Sequence, residues 1–199
     1  MLEIIKADGS SELEFLKKLQ ARAGEMSEFT TREVSVIISD VRKRGDDALR
    51  DYALKFDKTT LKDIRLSSEE IDEAANKASP ELVRIMKKAA DNIRRFHEKQ
   101  LPQGYMTSDE GIIAGQRVLP LERVGMYVPG GTAAYPSSVL MNAIPAKVAG
   151  VCSLAMVTPV KQEGLLPSIA AAAKIAGVDE IYRVGGAQET IAVPMRDHS

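Results

Sequence analysis

The 199-residue sequence has few of the residues that form disulfides, zinc sites or large aromatic clusters. It contains one cysteine (Cys152), two histidines (His97 and His198) and no tryptophan. A single cysteine excludes an internal disulfide framework, and the histidines stand in unrelated settings without the spacing of a zinc site. Because Cys152 lies at the head of an apolar strand, we expect a small buried thiol there rather than a nucleophile.

Signals for a membrane or nucleic-acid function are also missing. The formal net charge is −1, which argues against general electrostatic binding to nucleic acid or to a membrane surface. The first residues show no signal-peptide hydrophobic region, and no apolar run reaches membrane-spanning length. We therefore expect a cytoplasmic protein, with 44% hydrophobic residues to build the core of one good-sized domain or two small ones.

Residues 1–100 predict a helical N-terminal arm. An amphipathic stretch from Val34 to Phe56 keeps one apolar face in phase across Gly45, so both halves should pack on one surface. Gly45 could end one helix and Asp46 could cap the next. Residues 62–66 predict a short strand, and Ser79-Pro80 predicts a helix start. The spacing of that last helix predicts an inward face formed by Leu82, Ile85, Met86, Ala89, Ile93 and Phe96.

Residues 101–122 predict a β-hairpin connector with its turn near Asp109-Glu110-Gly111. From residue 123 the pattern alternates, with strands near 124–128, 152–158 and 180–184 and helices near 136–149 and 166–176. Continuous apolar strands separated by helices predict a parallel sheet with right-handed crossovers. The expected fold class is α/β: half of a doubly wound, Rossmann-like sheet over residues 123–199, atypical from 189, preceded by the helical arm and the small β element.

Paired glycines follow two of the predicted strands, as Pro129-Gly130-Gly131 and as Gly185-Gly186-Ala187-Gln188. Ligands of doubly wound sheets bind beyond the carboxyl ends of the strands, so both turns should lie on one edge. The helix that opens at Tyr135-Pro136-Ser137-Ser138 would add unpaired N–H donors suited to phosphate. Each glycine pair could equally be a tight turn and nothing more.

Two side chains beside these turns have open assignments. Tyr127 could be plain core, or its ring at the mouth of the strand could stack on a base or ribose. Gln188 could bond its own backbone or bind a cofactor hydroxyl. The sequence has no Gly-x-Gly-x-x-Gly, P-loop or Gly-x-Ser-x-Gly motif. Its own residues therefore indicate a binding surface without evident catalytic machinery.

The run 123–133, Arg-Val-Gly-Met-Tyr-Val-Pro-Gly-Gly-Thr-Ala, together with residues 135–151, closely resembles histidinol dehydrogenase. The resemblance extends to Val184-Gly185-Gly186-Ala187-Gln188. Upstream it includes residues 44–49, Arg-Gly-Asp-Asp-Ala-Leu, and Phe56-Asp57. In all it covers most of residues 10–188.

This resemblance implies an NAD- and zinc-dependent oxidoreductase of histidine biosynthesis. Such an enzyme oxidises L-histidinol through the aldehyde to L-histidine in two successive hydride transfers and forms a homodimer of Rossmann-like halves. It implies NAD contacts at Tyr127 and Gln188 and, less directly, a substrate contact at Ser137. With the glycine-turn argument, the cofactor-binding residues expected here are Tyr127, Pro129, Gly130, Gly131 and Gln188.

The resemblance also implies that essential groups fall outside this sequence. In the family an adjacent Glu-His pair performs the acid–base chemistry, and zinc is held by a glutamine, two histidines and an aspartate, all beyond residue 199. We therefore expect no catalytic residue and no metal ligand in this chain, and no histidinol oxidation by the chain alone. The alternatives are a non-catalytic module that binds NAD or another nucleotide, and a fragment that binds nothing.

Overall fold

The computed structural model describes residues 4–5, 7–24, 28–130, 134–160 and 164–186. Helices dominate the first half of the chain, and strands alternate with helices in the second half. The N-terminal helical elements are α1 (Ser11–Gly24), α2 (Glu28–Arg44), α3 (Asp46–Tyr52), a π-helical turn (Ala53–Asp57), α4 (Ser68–Asn76) and α5 (Pro80–Glu98). The later elements are β1 (Tyr105–Asp109), β2 (Ile112–Gln116), β3 (Arg123–Tyr127), α6 (Pro136–Val148), β4 (Ser153–Val157), α7 (Pro167–Ala176) and β5 (Glu180–Tyr182). The order confirms the α/β class.

Side-chain caps explain where α4 and α5 begin. The Ser67 hydroxyl accepts a hydrogen bond from the backbone N–H of Glu70, whose carboxylate accepts one from the N–H of Ser67 at 2.8 Å. The Ser79 hydroxyl caps α5 by accepting a hydrogen bond from the N–H of Leu82, without a reciprocal bond, and Pro80 occupies the first helical position. The break between α2 and α3 differs from the expectation. Gly45 itself, at φ 63°, is the N-cap of α3, and Asp46 is already inside that helix.

Among the described residues, a parallel sheet runs in the order β3–β4–β5 and is covered on both faces. Leu154 and Met156 of β4 belong to a core cluster with buried residues of α4, α5, α6 and α7. Ala155 and Val157 point to a second cluster that includes Val41 of α2 and residues of α3. The helices of the N-terminal arm thus divide between the two clusters, with α2 and α3 on one side of the sheet and α4 and α5 beside α6 and α7 on the other. The packing of both halves on one surface across Gly45 is confirmed, although Phe56 at the end of that stretch is exposed. The domain boundaries after residues 100 and 122 stay predictions.

The strand predicted at 62–66 is reduced to an isolated antiparallel bridge between Arg65 and Tyr182. Two backbone hydrogen bonds flank the bridge, from Leu66 to Ile181 at 2.9 Å and from Arg183 to Ile64 at 2.8 Å. The segment therefore lies along β5 without extending into a regular strand.

The β1–β2 hairpin has the predicted turn. Asp109 pairs with Ile112, and the two residues between them, Glu110 and Gly111, have φ values of 43° and 86°. Positive φ at both central positions is the geometry of a type I′ turn, whose twist matches that of the strands. Every residue of both strands is exposed.

Two burial predictions are wrong. Ile85 and Phe96 of α5, expected inward, are 51% and 63% exposed, because the buried arc of this helix is narrow and centres on Met86 and Ala90. Cys152, expected as a buried thiol, is exposed. It precedes β4, which begins one residue later, so it stands in the connection and not in the strand.

Candidate functional site

The carboxyl edge of the sheet brings three strand ends together. After β3 the chain continues through Val128 to Gly130, and Val128 donates to the carbonyl of Val157 at 2.9 Å. After β4, Thr158 donates to the carbonyl of Tyr182 at 3.0 Å. The backbone hydrogen bonds between the strands thus continue to their carboxyl ends. The segments that follow β3 and β5 leave the sheet on this same side, which is the carboxyl edge. The prediction that the two glycine turns share an edge is confirmed for their described members, Gly130, Gly185 and Gly186.

Tyr127 connects the two outer strand ends. Its hydroxyl donates a hydrogen bond to the carbonyl oxygen of Gly185 at 3.1 Å. Tyr127 is half-buried and packs against the cluster that contains Val157 and Val184. Because the hydroxyl is engaged by the protein, the group that Tyr127 offers to a ligand is its ring. Tyr127 thus contributes to the core, and the stacking of its ring on a base or ribose stays a prediction.

Two glycines of this edge have close neighbours from other segments of the chain. A Cβ added at Gly130 would lie 2.5 Å from Cγ of Pro159 and 2.9 Å from its carbonyl oxygen. A Cβ added at Gly185 would collide with the carboxylate of Asp57. Both glycines therefore allow backbone to approach another segment closely, which a bare tight turn does not demand.

Asp57 reaches this edge from the N-terminal arm. It is the last residue of the π-helical turn, which Lys58 ends with a left-handed φ of 56°. Partial burial raises the pKa of the Asp57 carboxyl above its usual range. Asp57 lies in a segment that carries the family resemblance, but the sequence predicts no role for it. Its meeting with Gly185 joins parts of the chain far apart in sequence, so no local pattern could indicate it.

The N-terminus of α6 lies after the first glycine turn. Pro136 occupies the first helical position, and Tyr135, the N-cap, makes no side-chain capping bond. Ser137 follows as an exposed residue of the first turn. A 13-residue helix that starts without a side-chain cap leaves backbone donors and a partial positive charge available to an anion.

The opposite edge of the sheet is occupied by charged side chains that pair with one another. The carboxylate of Glu180 accepts hydrogen bonds from Arg123 at 2.5 Å and from the Tyr182 hydroxyl at 2.9 Å. Arg65 adds an ion pair at 3.4 Å. Burial, followed by the hydrogen bond to Glu180, raises the pKa of the Tyr182 hydroxyl. This edge is a structural clamp, so the carboxyl edge is the better candidate for ligand binding.

Some predicted site residues cannot be placed. Gly131, Gln188 and the atypical segment 189–199, with His198, lie outside the described residues. Within the ranges that are described, no three His, Cys, Asp or Glu side chains are grouped to hold a metal ion. No helix in those ranges is both long and apolar enough to cross a membrane.

Comparison with known proteins decides the family. A family model described as histidinol dehydrogenase matches residues 20–194. The chain belongs to the histidinol dehydrogenase family. The histidinol dehydrogenase of Lactiplantibacillus plantarum is 46% identical over 195 residues, which is 96% of this chain and 45% of the relative. That of Rhodospirillum rubrum is 53% identical over 163 residues, covering 80% of this chain and 38% of the relative.

A solved histidinol dehydrogenase shares the fold. The crystal structure from Elizabethkingia anophelis superposes with a TM-score of 0.76 at 36% sequence identity, covering 83% of this chain and 39% of that one. The chain therefore spans less than half the length of the histidinol dehydrogenases it matches. The zinc that the family resemblance implies finds no suitable ligand group among the described residues.

Proposed function

We propose that this chain binds NAD at the carboxyl edge of the β3–β4–β5 sheet, as the nucleotide-binding part of a histidinol dehydrogenase. The observation that carries the proposal is the hydrogen bond between Tyr127 and Gly185, which joins the ends of two strands that do not pair with each other. It supports one continuous site instead of two independent turns. Family membership favours this function over a non-catalytic nucleotide module.

In this proposal each residue of the edge has a distinct task. The ring of Tyr127 stacks on the nucleotide, and its hydroxyl holds Gly185 in position. Pro129, Gly130 and Gly131 bring backbone close to the pyrophosphate, which the uncapped start of α6 attracts. Gln188 binds a cofactor hydroxyl, and Ser137 contacts the substrate.

The proposed reaction is the oxidation of L-histidinol to its aldehyde and, after water has added to the aldehyde, the oxidation of that hydrate to L-histidine, with one hydride and one proton lost in each oxidation. Bound NAD would supply the hydride acceptor for each step. This chain's own part is to orient the cofactor, because a fixed geometry lowers the entropic barrier to hydride transfer. We assign no step to zinc. We also propose that the protein acts as a homodimer in the cytoplasm.

Calorimetric titration of the purified chain with NAD tests this function. We expect saturable binding to the wild type and at least about fivefold weaker binding to Tyr127→Ala, because a base–aromatic stack contributes about 1–3 kcal/mol. Tyr105→Ala, on the exposed β1 strand, is the matched control and should bind as the wild type does. Equal heats for wild type and Tyr127→Ala would remove Tyr127 from the site. Absence of binding to the wild type would reject the proposal.

A further inference from the structure

Asp57 places a carboxylate at the carboxyl edge without a partner for it. Its carboxylate lies so close to Gly185 that a side chain there would overlap it. No residue in the described ranges donates a hydrogen bond to the Asp57 carboxylate. The backbone carbonyl of Asp57, not its carboxylate, accepts a hydrogen bond from the Thr59 hydroxyl at 3.2 Å.

The charge of Asp57 is also uncompensated, unlike that of other carboxylates near the sheet. Asp179 has Lys147 at 2.7 Å, and Glu180 has Arg123. For Asp57 the shift of the pKa comes from desolvation, with no cation offsetting it in the part of the chain that the structure describes. The Asp57 side chain is exposed, so its two oxygens are open to a ligand that approaches the carboxyl edge beside Gly185.

We propose that Asp57 binds the adenosine ribose of NAD and that this contact makes the site select NAD over NADP. Its two oxygens accept hydrogen bonds from the 2′- and 3′-hydroxyls, the task that an acidic residue performs in dinucleotide-binding sheets. In NADP a phosphate replaces the 2′-hydroxyl hydrogen, which removes a donor and sets a second negative charge against the carboxylate. This inference rests on the proposed function, since it needs NAD at this edge.

The ribose is a better partner for Asp57 than a divalent cation. A cation would need several oxygen ligands, and no metal-holding group of acidic side chains forms among the described residues. A sugar diol presents two donors to one carboxylate and needs no further acid. The position also fits, because Asp57 contacts Gly185, whose carbonyl is held by Tyr127.

The test compares NAD, NADP and NAD lacking the 2′-hydroxyl in calorimetric titrations of the 199-residue chain. Wild type, Asp57→Asn and Asp63→Asn are measured in parallel. Asp63 is an exposed carboxylate in the neighbouring connection and receives the same chemical change. Thermal melts followed by circular dichroism check that each variant is folded.

We expect wild type and Asp63→Asn to bind NAD at least tenfold more tightly than either analogue, because hydrogen bonds to charged groups are strong. In Asp57→Asn, NAD binding should weaken about tenfold and its advantage over both analogues should shrink by a similar factor. Should Asp57→Asn fail to fold, the wild-type comparison of NAD with 2′-deoxy-NAD decides, and equal affinity overturns the inference.

The titrations distinguish a failure of the ribose assignment from a failure of the proposed function. If the wild type binds NAD and the NAD-to-NADP ratio is the same in Asp57→Asn, the ribose assignment is overturned and the proposed function stands. If the wild type binds none of the nucleotides, both are overturned together.

Discussion

The hydroxyl of Tyr127 donates to the carbonyl oxygen of Gly185 across a distance of 3.1 Å. Tyr127 ends β3 and Gly185 follows β5, and β4 lies between these two strands. The bond therefore spans the full width of the described parallel sheet. It fixes the spacing between the two segments that carry the paired glycines. The parallel strands already hold both segments at this edge, and this contact adds a direct link between them.

Replacing Tyr127 by Phe separates the structural from the binding role of this side chain. Loss of one partly buried hydrogen bond should lower the free energy of unfolding by about 1 kcal/mol in urea denaturation. The ring remains, so NAD affinity should stay within about threefold of wild type, in contrast to Tyr127→Ala. Tyr105→Phe, at an exposed position, should change neither quantity. A large affinity loss in Tyr127→Phe would mean that the hydroxyl itself is the nucleotide contact.

Gly185→Ala should destabilise the fold because its Cβ overlaps the Asp57 carboxylate. The carboxylate belongs to an exposed side chain that can turn away, so the cost should be at most about 1 kcal/mol, the low end of overpacking penalties. The pair Gly185→Ala with Asp57→Ala should recover most of that loss, and urea denaturation of the single and double variants gives the coupling energy. If the two effects simply add, the two residues do not meet.

We expect the folded protein to lose stability at alkaline pH because the Tyr182 hydroxyl ionises there. Burial and the bond to Glu180 raise the folded-state pKa, so this contribution is complete below the unfolded pKa of about 10 and disappears as pH rises through the folded value. Denaturant melts from pH 8 upward should show wild type losing stability faster than Tyr182→Phe. Parallel curves would show that Tyr182 does not carry the effect.

Cys152 should react with a thiol reagent in the native state, because its side chain is exposed in the connection before β4. The reagent releases a chromophore when it reacts, so the labelling can be followed by absorbance. We expect Cys152 to be labelled completely without denaturant, at a rate close to that of the thiol in the unfolded chain. Slow labelling that accelerates in urea would instead support the buried thiol expected from the sequence.

Periodicity predicted much of the fold because it reports on local burial. The alternation of apolar strands and helices after residue 123 predicted the parallel sheet, and its topology set Gly130 and Gly185 on one edge. The hairpin turn was predictable because Gly111 accepts the positive φ that a tight turn needs. These features depend on residues close together in sequence.

The contact that was missed and the burial that was wrongly predicted have a different cause, which is packing between elements far apart in sequence. Asp57 and Gly185 meet only after the N-terminal arm packs on the sheet, and spacing along the chain says nothing about that contact. Phe96 has helical spacing with the buried residues of α5, yet it lies outside the arc that neighbouring helices cover. An apolar pattern shows what can be buried, and only the packing of other elements decides what is.

Hydrogen–deuterium exchange of the 199-residue chain with and without NAD tests the central claim most directly. If the carboxyl edge binds NAD, the cofactor should slow exchange at residues 127–130 and 184–186 and leave the β1–β2 hairpin unchanged. Unchanged exchange at both edge segments at saturating NAD, or protection confined to another surface, would contradict it.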